Sequence, residues 1–206
     1  ALSNLASTGI YILEPEVFNY MPESGEYGFG RQLFPSLVKA GLPVLGVPIE
    51  SYWSDVGTIE QYQTSNFDVL SGQFKANLPG YRQERRGVYS LYLADGAEID
   101  GSVEIAGNVI VGKNAQVKAG VTLSGNVVIG AGSVVGADCR LVNTILWPDS
   151  KVADATTFDG VIVSPAGLVQ VDKNGENRVF VDPKNLGPAN KTQVQNRILE
   201  AVGSCV

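Results

Sequence analysis

The chain has 206 residues, 44% of them hydrophobic, which is enough for one large domain or two small ones with a real core. A net charge of −6 and a pI near 4.7 exclude a general nucleic-acid binder, because that role needs a basic face. No apolar run reaches the ~20 residues of a membrane span, and no basic flank with an apolar core and cleavage site marks a signal peptide.

Residues 1 to about 75 alternate strand-like and helix-like segments, as an α/β domain does. TGIYIL (8–13) predicts a core strand, and PEVFNYM a short helix with Pro15 in its first turn. YGFGRQLFPSLVKAG (27–41) predicts a helix whose apolar face is Leu33, Leu37 and Val38, closed by Gly41. PVLGVPI (43–49) reads as a strand, and SYWSDVGT (51–58) as a strand running into a turn. Thr58 is placed to cap a helix through IEQYQTSNFDVLSG, with Glu60 and Gln61 near capping-box positions. About three strands are too few to close a sheet, so the expectation is that the chain starts inside a domain.

Residues 76–90 read as a polar linker with a Pro-Gly turn, and Arg82, Arg85 and Arg86 as its solvated charges. From Leu93 an aliphatic residue then recurs every sixth position: Ile99, Ile105, Val111, Val117, Leu123, Ile129, Val135 and Leu141. Two residues before each of these lies a small or β-branched residue, from Ala97 through Val103, Val109, Ala115, Val121, Val127 and Ser133 to Cys139. A period of six fits neither a helix nor plain strand alternation. It fits a coil with flat walls, each hexad giving one short strand and one corner, stacked as a parallel β-helix. The fold class is therefore mainly β: a parallel β-helix over 91–165, about four coils, following a partial α/β domain. After Leu141 the register loosens at NTILWPDS and resumes one step out of phase at Val152, Phe158 and Ser164. Trp147 is too wide for an inward slot and belongs outside, packed on another element.

The tail, 166–206, holds strand-like runs GLVQVD and RVFVD around Asn174-Gly175, a hairpin signal. A helix over TQVQNRILEAVG follows, capped by Thr192, ended by Gly203 and striped by Val194, Ile198, Leu199 and Val202. That stripe has to cover an end of the coil or pack on a second subunit, so a homo-oligomer is expected.

The chain has no histidine. That excludes imidazole general bases, Ser-His-Asp triads and His-ligated metals. It also disfavours a hexad-repeat acyltransferase, which needs a base on a loop thrown out between coils, and no insertion breaks the spacing between Leu93 and Leu141. The two cysteines, Cys139 and Cys205, make no disulfide framework. Cys139 reads as core, and a reducing cytoplasm is the expected compartment.

NLASTGIYILEPEVFNYMP followed by YGFGRQLFPSLVKAGLPVLGVPIESYWSDVGTIEQY resembles the end of the catalytic domain of sugar-nucleotide pyrophosphorylases. The resemblance is greatest to mannose-1-phosphate guanylyltransferases, which join such a domain to a C-terminal left-handed β-helix, and it covers residues 1 to about 165. It implies a nucleotidyltransferase that joins a sugar 1-phosphate and an NTP into an NDP-sugar, releasing pyrophosphate with Mg²⁺ as cofactor. Asp55, in W-S-D-V-G-T, matches the family's second metal-binding aspartate. Gly57 turns the backbone away, and Trp53 reads as core. Ser7, Thr8 and Gly9 match the segment lining the sugar pocket, except that relatives commonly carry Asn where this chain has Ser7. A serine keeps a hydroxyl and loses the amide's reach.

The family's Gly-rich triphosphate loop, its first metal-binding Asp and its Glu-Lys-Pro segment occur nowhere in these residues. The expectation is therefore that the chain is the C-terminal portion of such an enzyme and is inactive alone, its β-helix serving assembly or regulation. The alternative is a non-catalytic structural or regulatory subunit keeping a degenerate transferase remnant.

Overall fold

A computed structural model describes residues 5–171 and 177–180, which fall in two compact units, Ala1–Trp53 and Ser54–Val206. The expected Asn174-Gly175 turn, the helix over 192–203 and Cys205 lie outside the described residues.

In the first unit a 3-10 helix, Pro15–Tyr20, carries Pro15 at its start, where a missing N–H is harmless. A wide π turn, Phe29–Leu33, leads into α1, Phe34–Lys39. Leu33 and Leu37 are buried with Val17, as the spacing predicts, but Val38 lies outside, 61% exposed. The π turn rotates the helix start, so the stripe narrows. Gly41, at φ +72°, ends the helix with Gly41 N–H bonded to Val38 O and Leu42 N–H to Leu37 O. The strands expected at 8–13, 43–49 and 51–58 do not form. Among the described residues these segments have no ladder partner, and Ile12 (99%) and Leu45 (88%) stand in solvent. An apolar alternation makes a strand only where a neighbouring strand accepts its backbone hydrogen bonds.

The second unit opens with α2, Ile59–Ser71. Thr58 Oγ1 accepts the Gln61 N–H (3.1 Å), and Gln61 Oε1 accepts the N–H of Gly57 (3.0 Å), one residue before the position a standard capping box would use. Gly72, in the left-handed region, closes the helix. The stretch read as a linker holds β1, Tyr81–Arg86, paired antiparallel with β2, Tyr89–Ala94.

The coils follow: β3 (Glu98–Ile99), β4 (Glu104–Val111), β5 (Gln116–Val117), β6 (Thr122–Ile129), β7 (Val134–Val135), β8 (Arg140–Val142), β9 (Ile145–Leu146), β10 (Lys151–Val152), β11 (Thr157–Asp159) and β12 (Val161–Ser164). From β2 to β12 the paired strands run parallel, so each layer lies on the previous one. Three inward columns fill the coil. Leu93, Val111, Ile129, Leu146 and Val163 form one; Ile99, Val117, Val135 and Val152 the second; Ile105, Leu123, Leu141 and Phe158 the third. Of the small residues two positions earlier, those from Val109 to Cys139 are fully buried beside them, while Ala97 and Val103 in the first coil are partly buried. The Cys139 thiol points at Ala153 O (3.0 Å), a core position as expected.

The slip after Leu141 has a simple form. Leu146 stacks on Ile129 and Val163 on Leu146, so two corners contain one residue fewer than a hexad allows. At the first, Asn143 adopts φ +44°, and its Oδ1 accepts the Asn126 N–H (3.1 Å), replacing a two-residue corner with one. The inward residue of the last rung is thus Val163, and Ser164 instead donates its hydroxyl to Gly167 O in the turn to β13. β13, Gly167–Val171, and β14, Asn177–Phe180, add antiparallel strands to the wall. Trp147 lies outside the coil and packs on α2, as its width requires.

Candidate functional site

Ser7, Thr8 and Gly9 belong to the first unit. Gly9 holds φ +77°, a conformation that favours glycine, and a Cβ there would meet nothing within 4 Å. The glycine thus serves the backbone bend and leaves open space above it. The Ser7 hydroxyl accepts the Gly9 N–H (3.2 Å) and shares a hydrogen bond with the Tyr11 hydroxyl (3.1 Å). Tyr11 in turn stacks on Phe29, with centroids 5.5 Å apart, and meets Phe34 edge-on at 4.8 Å. The exposed 7–9 bend is therefore linked through Ser7 to an aromatic cluster, and Thr8 is half-buried. Tyr11 was not singled out by the sequence; the only available signal was its four-residue spacing from Ser7.

Asp55 belongs to the second unit, on the loop that enters α2. Its side chain is exposed, and its carbonyl accepts the Gly57 N–H at 2.7 Å. Ser54 Oγ lies 2.9 Å from Ser65 Oγ, tying the loop to the helix. Trp53, expected as core, is 45% exposed.

A carboxylate is a hard oxygen ligand, and Mg²⁺ is commonly held by one or two of them together with substrate phosphates. Asp55 fits as one such ligand. Among the described residues no group of three or more His, Cys, Asp or Glu could hold a metal, so a complete protein cage is not formed there. One further cavity, about 430 Å³, opens beneath the first coil against Leu93, Ile99 and Ile105. At its rim Arg82 and Arg86 both pair with Glu84, at 3.0 and 3.1 Å, so two guanidinium groups share one carboxylate. No helix among the described residues is long and apolar enough to cross a membrane.

Comparison with known proteins matches two family models in tandem. A "Nucleotidyl transferase" model covers residues 1–72, and a "GMPPB C-terminal domain" model covers residues 93–175. A UTP–glucose-1-phosphate uridylyltransferase of Synechocystis sp. is 43% identical over 112 residues, covering 52% of this chain and 29% of its own length. Glucose-1-phosphate adenylyltransferases of Clostridium botulinum and Bacillus thuringiensis are 33% and 36% identical over 123 and 126 residues. Each match covers 53% of this chain, with 31% and 32% of the relative. The chain thus spans under a third of the length of these curated relatives.

Proposed function

Because the chain belongs to the sugar-nucleotide pyrophosphorylases, we propose that it works as part of an enzyme joining a hexose 1-phosphate to an NTP, with release of pyrophosphate. The observation that carries this reading is the Asp55 loop leading through a capped helix into a hexad β-helix, in the order that the two family models match. Asp55 is the residue that would hold Mg²⁺, jointly with phosphate oxygens of the nucleotide. When bound there, the cation offsets the negative charge that builds up around the α-phosphate. The pinned backbone of Asp55 sets the point from which that side chain extends before substrate arrives. The open space over Gly9 suits a sugar resting against the backbone. The Ser7 hydroxyl is oriented for it by Tyr11.

The names of the relatives make glucose 1-phosphate with UTP or ATP the first pair to test. The resemblance to mannose-1-phosphate guanylyltransferases makes mannose 1-phosphate with GTP the second. A cytoplasmic setting and a homo-oligomer built through the β-helix complete the proposal.

The triphosphate needs backbone amides and cations that these residues do not supply. Assayed alone with NTP, Mg²⁺ and sugar 1-phosphate, the 206 residues are expected to give no turnover, and turnover above background would refute that. In an enzyme that contains this chain, Asp55→Asn is expected to lower kcat at least tenfold and to raise the Mg²⁺ requirement. An unchanged Mg²⁺ dependence would remove Asp55 from the site and favour a structural or regulatory subunit.

A further inference from the structure

We infer that the β-helix is the element that positions Asp55, acting through α2, and that Ile59, Tyr62 and Trp147 are positioning residues for its carboxylate. The inference rests on the role proposed above for Asp55 and adds what sets its location.

The path is short and continuous. Ser54 is tied to Ser65 of α2 at 2.9 Å, and the Gly57 N–H is held by Gln61 of the same helix at 3.0 Å. Asp55 is therefore bracketed by two attachments to α2. Four residues after Asp55, Ile59 is 1% exposed, buried in a cluster with Ile145, Ile162 and Val169 of the coil wall. One turn further on, Tyr62 meets Trp147 edge-on, and Phe67 joins the same cluster. Gln63 Nε2 donates to Asn143 O (3.4 Å) at the shortened corner.

An isolated helix of thirteen residues is marginal in water, so its placement comes from packing. Among the described residues, Ile59, Tyr62 and Phe67 of α2 pack on the outer wall of the coil. The chain divides accordingly, between Trp53 and Ser54, so that the Asp55 loop falls with the β-helix rather than with the residues preceding it. Any partner or modification that displaces the Asn143–Trp147 corner would move the carboxylate with it. The coil wall thereby becomes a place from which the metal ligand can be adjusted.

Hydrogen exchange on the 206-residue chain, followed by mass spectrometry, tests this without metal or substrate. In Tyr62→Ala and in Trp147→Ala, amides of residues 54–61 are expected to exchange at least tenfold faster, while strands 104–111 and 122–129 keep their protection. Tyr62→Phe, which keeps the ring, should exchange more slowly at 54–61 than Tyr62→Ala, and the double variant should add little to either single alanine variant. Unchanged exchange at 54–61 in Tyr62→Ala, or loosening in Tyr62→Ala with none in Trp147→Ala, would overturn the inference. If Trp147→Ala also unravels the coil strands, Tyr62→Ala decides, because Tyr62 lies outside the coil. In an enzyme that contains this chain, Tyr62→Ala should raise the Mg²⁺ concentration for half-maximal rate several-fold while leaving KM for the sugar phosphate unchanged. Failure of the Asp55→Asn experiment alone would remove the metal role and leave the exchange result standing.

Discussion

Tyr62 and Trp147 meet edge to face, with ring centroids 6.3 Å apart and planes at 87°, and they join the outer wall of the coil to the helix lying on it. The indole Nε1 is buried with no hydrogen-bond partner among the described residues, so the ring contributes contact area and shape there, without a polar link. Residues on either side of this contact carry different loads, and each can be measured separately.

The middle of the coil is the tightest core. Leu123 stacks between Ile105 and Leu141 and is fully buried. Leu123→Ala should destabilise the chain by about 2–5 kcal/mol, read as a fall in the urea midpoint at unchanged slope. Substitution of exposed Lys113 by Ala should fall within about 0.5 kcal/mol of wild type.

Gly107 lies directly on Gly125 of the next layer, and a Cβ at Gly107 would run into the backbone of Gly125. Backbone has no rotamer with which to give way. Gly107→Ala should therefore destabilise by roughly 1–3 kcal/mol, although alanine is small and the site is apolar. Thermal unfolding of the single variant is sufficient to measure it.

Ala155 occupies the left-handed region, φ +55°, at a corner where the neighbouring layers place Gly120 and Asp138. An alanine is strained there by about 1–2 kcal/mol, part of which a glycine returns in unfolded-chain entropy. Ala155→Gly is thus expected to stabilise by up to about 1 kcal/mol, seen as a higher melting temperature.

Asp100 accepts hydrogen bonds from the Ser102 hydroxyl (2.6 Å) and from the Ser102 N–H (2.9 Å), and these hold its carboxyl below the ordinary 3.8. A lowered folded-state pKa gives stability that is present above the unfolded value and is lost as pH falls through the folded one. Asp100→Ala should therefore lower the melting temperature at pH 7, with the gap to wild type closing below about pH 4. A gap that persists at pH 2 would show that the turn depends on something other than the ionised carboxylate.

The β-helix was legible because a buried wall demands an aliphatic residue at a fixed interval, and no other fold asks for that interval so long. The shortened corners were not legible, because Asn143 replaces a Gly-Asn pair through its backbone angle and a side-chain bond, neither of which has a sequence period. β1 was missed for a related reason. Arg82, Glu84, Arg85 and Arg86 show no apolar alternation, yet an edge strand needs only its backbone to pair, and charges there discourage further pairing. In the first unit the opposite happened, since Ile10 and Ile12 alternate well and find no neighbouring strand among the described residues. For the site, W-S-D-V-G-T drew attention to Asp55, but nothing in the sequence tied it to Trp147, roughly ninety positions away.

Register between β4 and β6 is congruent over its whole length, Asn108 over Asn126 and Val111 over Ile129, a displacement of eighteen residues. The solenoid is consequently modular in units of one full revolution. Excising residues 112–129 would bring Val111 into the role of Ile129 and leave every surviving wall beneath its proper successor. Removing a single hexad of the same region would rotate the upper storeys by one face, carrying the seat of α2 to the wrong side. The height of this tower can therefore change in whole turns, and a single residue can be trimmed only at a corner, as at Asn143, whereas loss of a whole hexad would relocate the carboxylate that hangs from it.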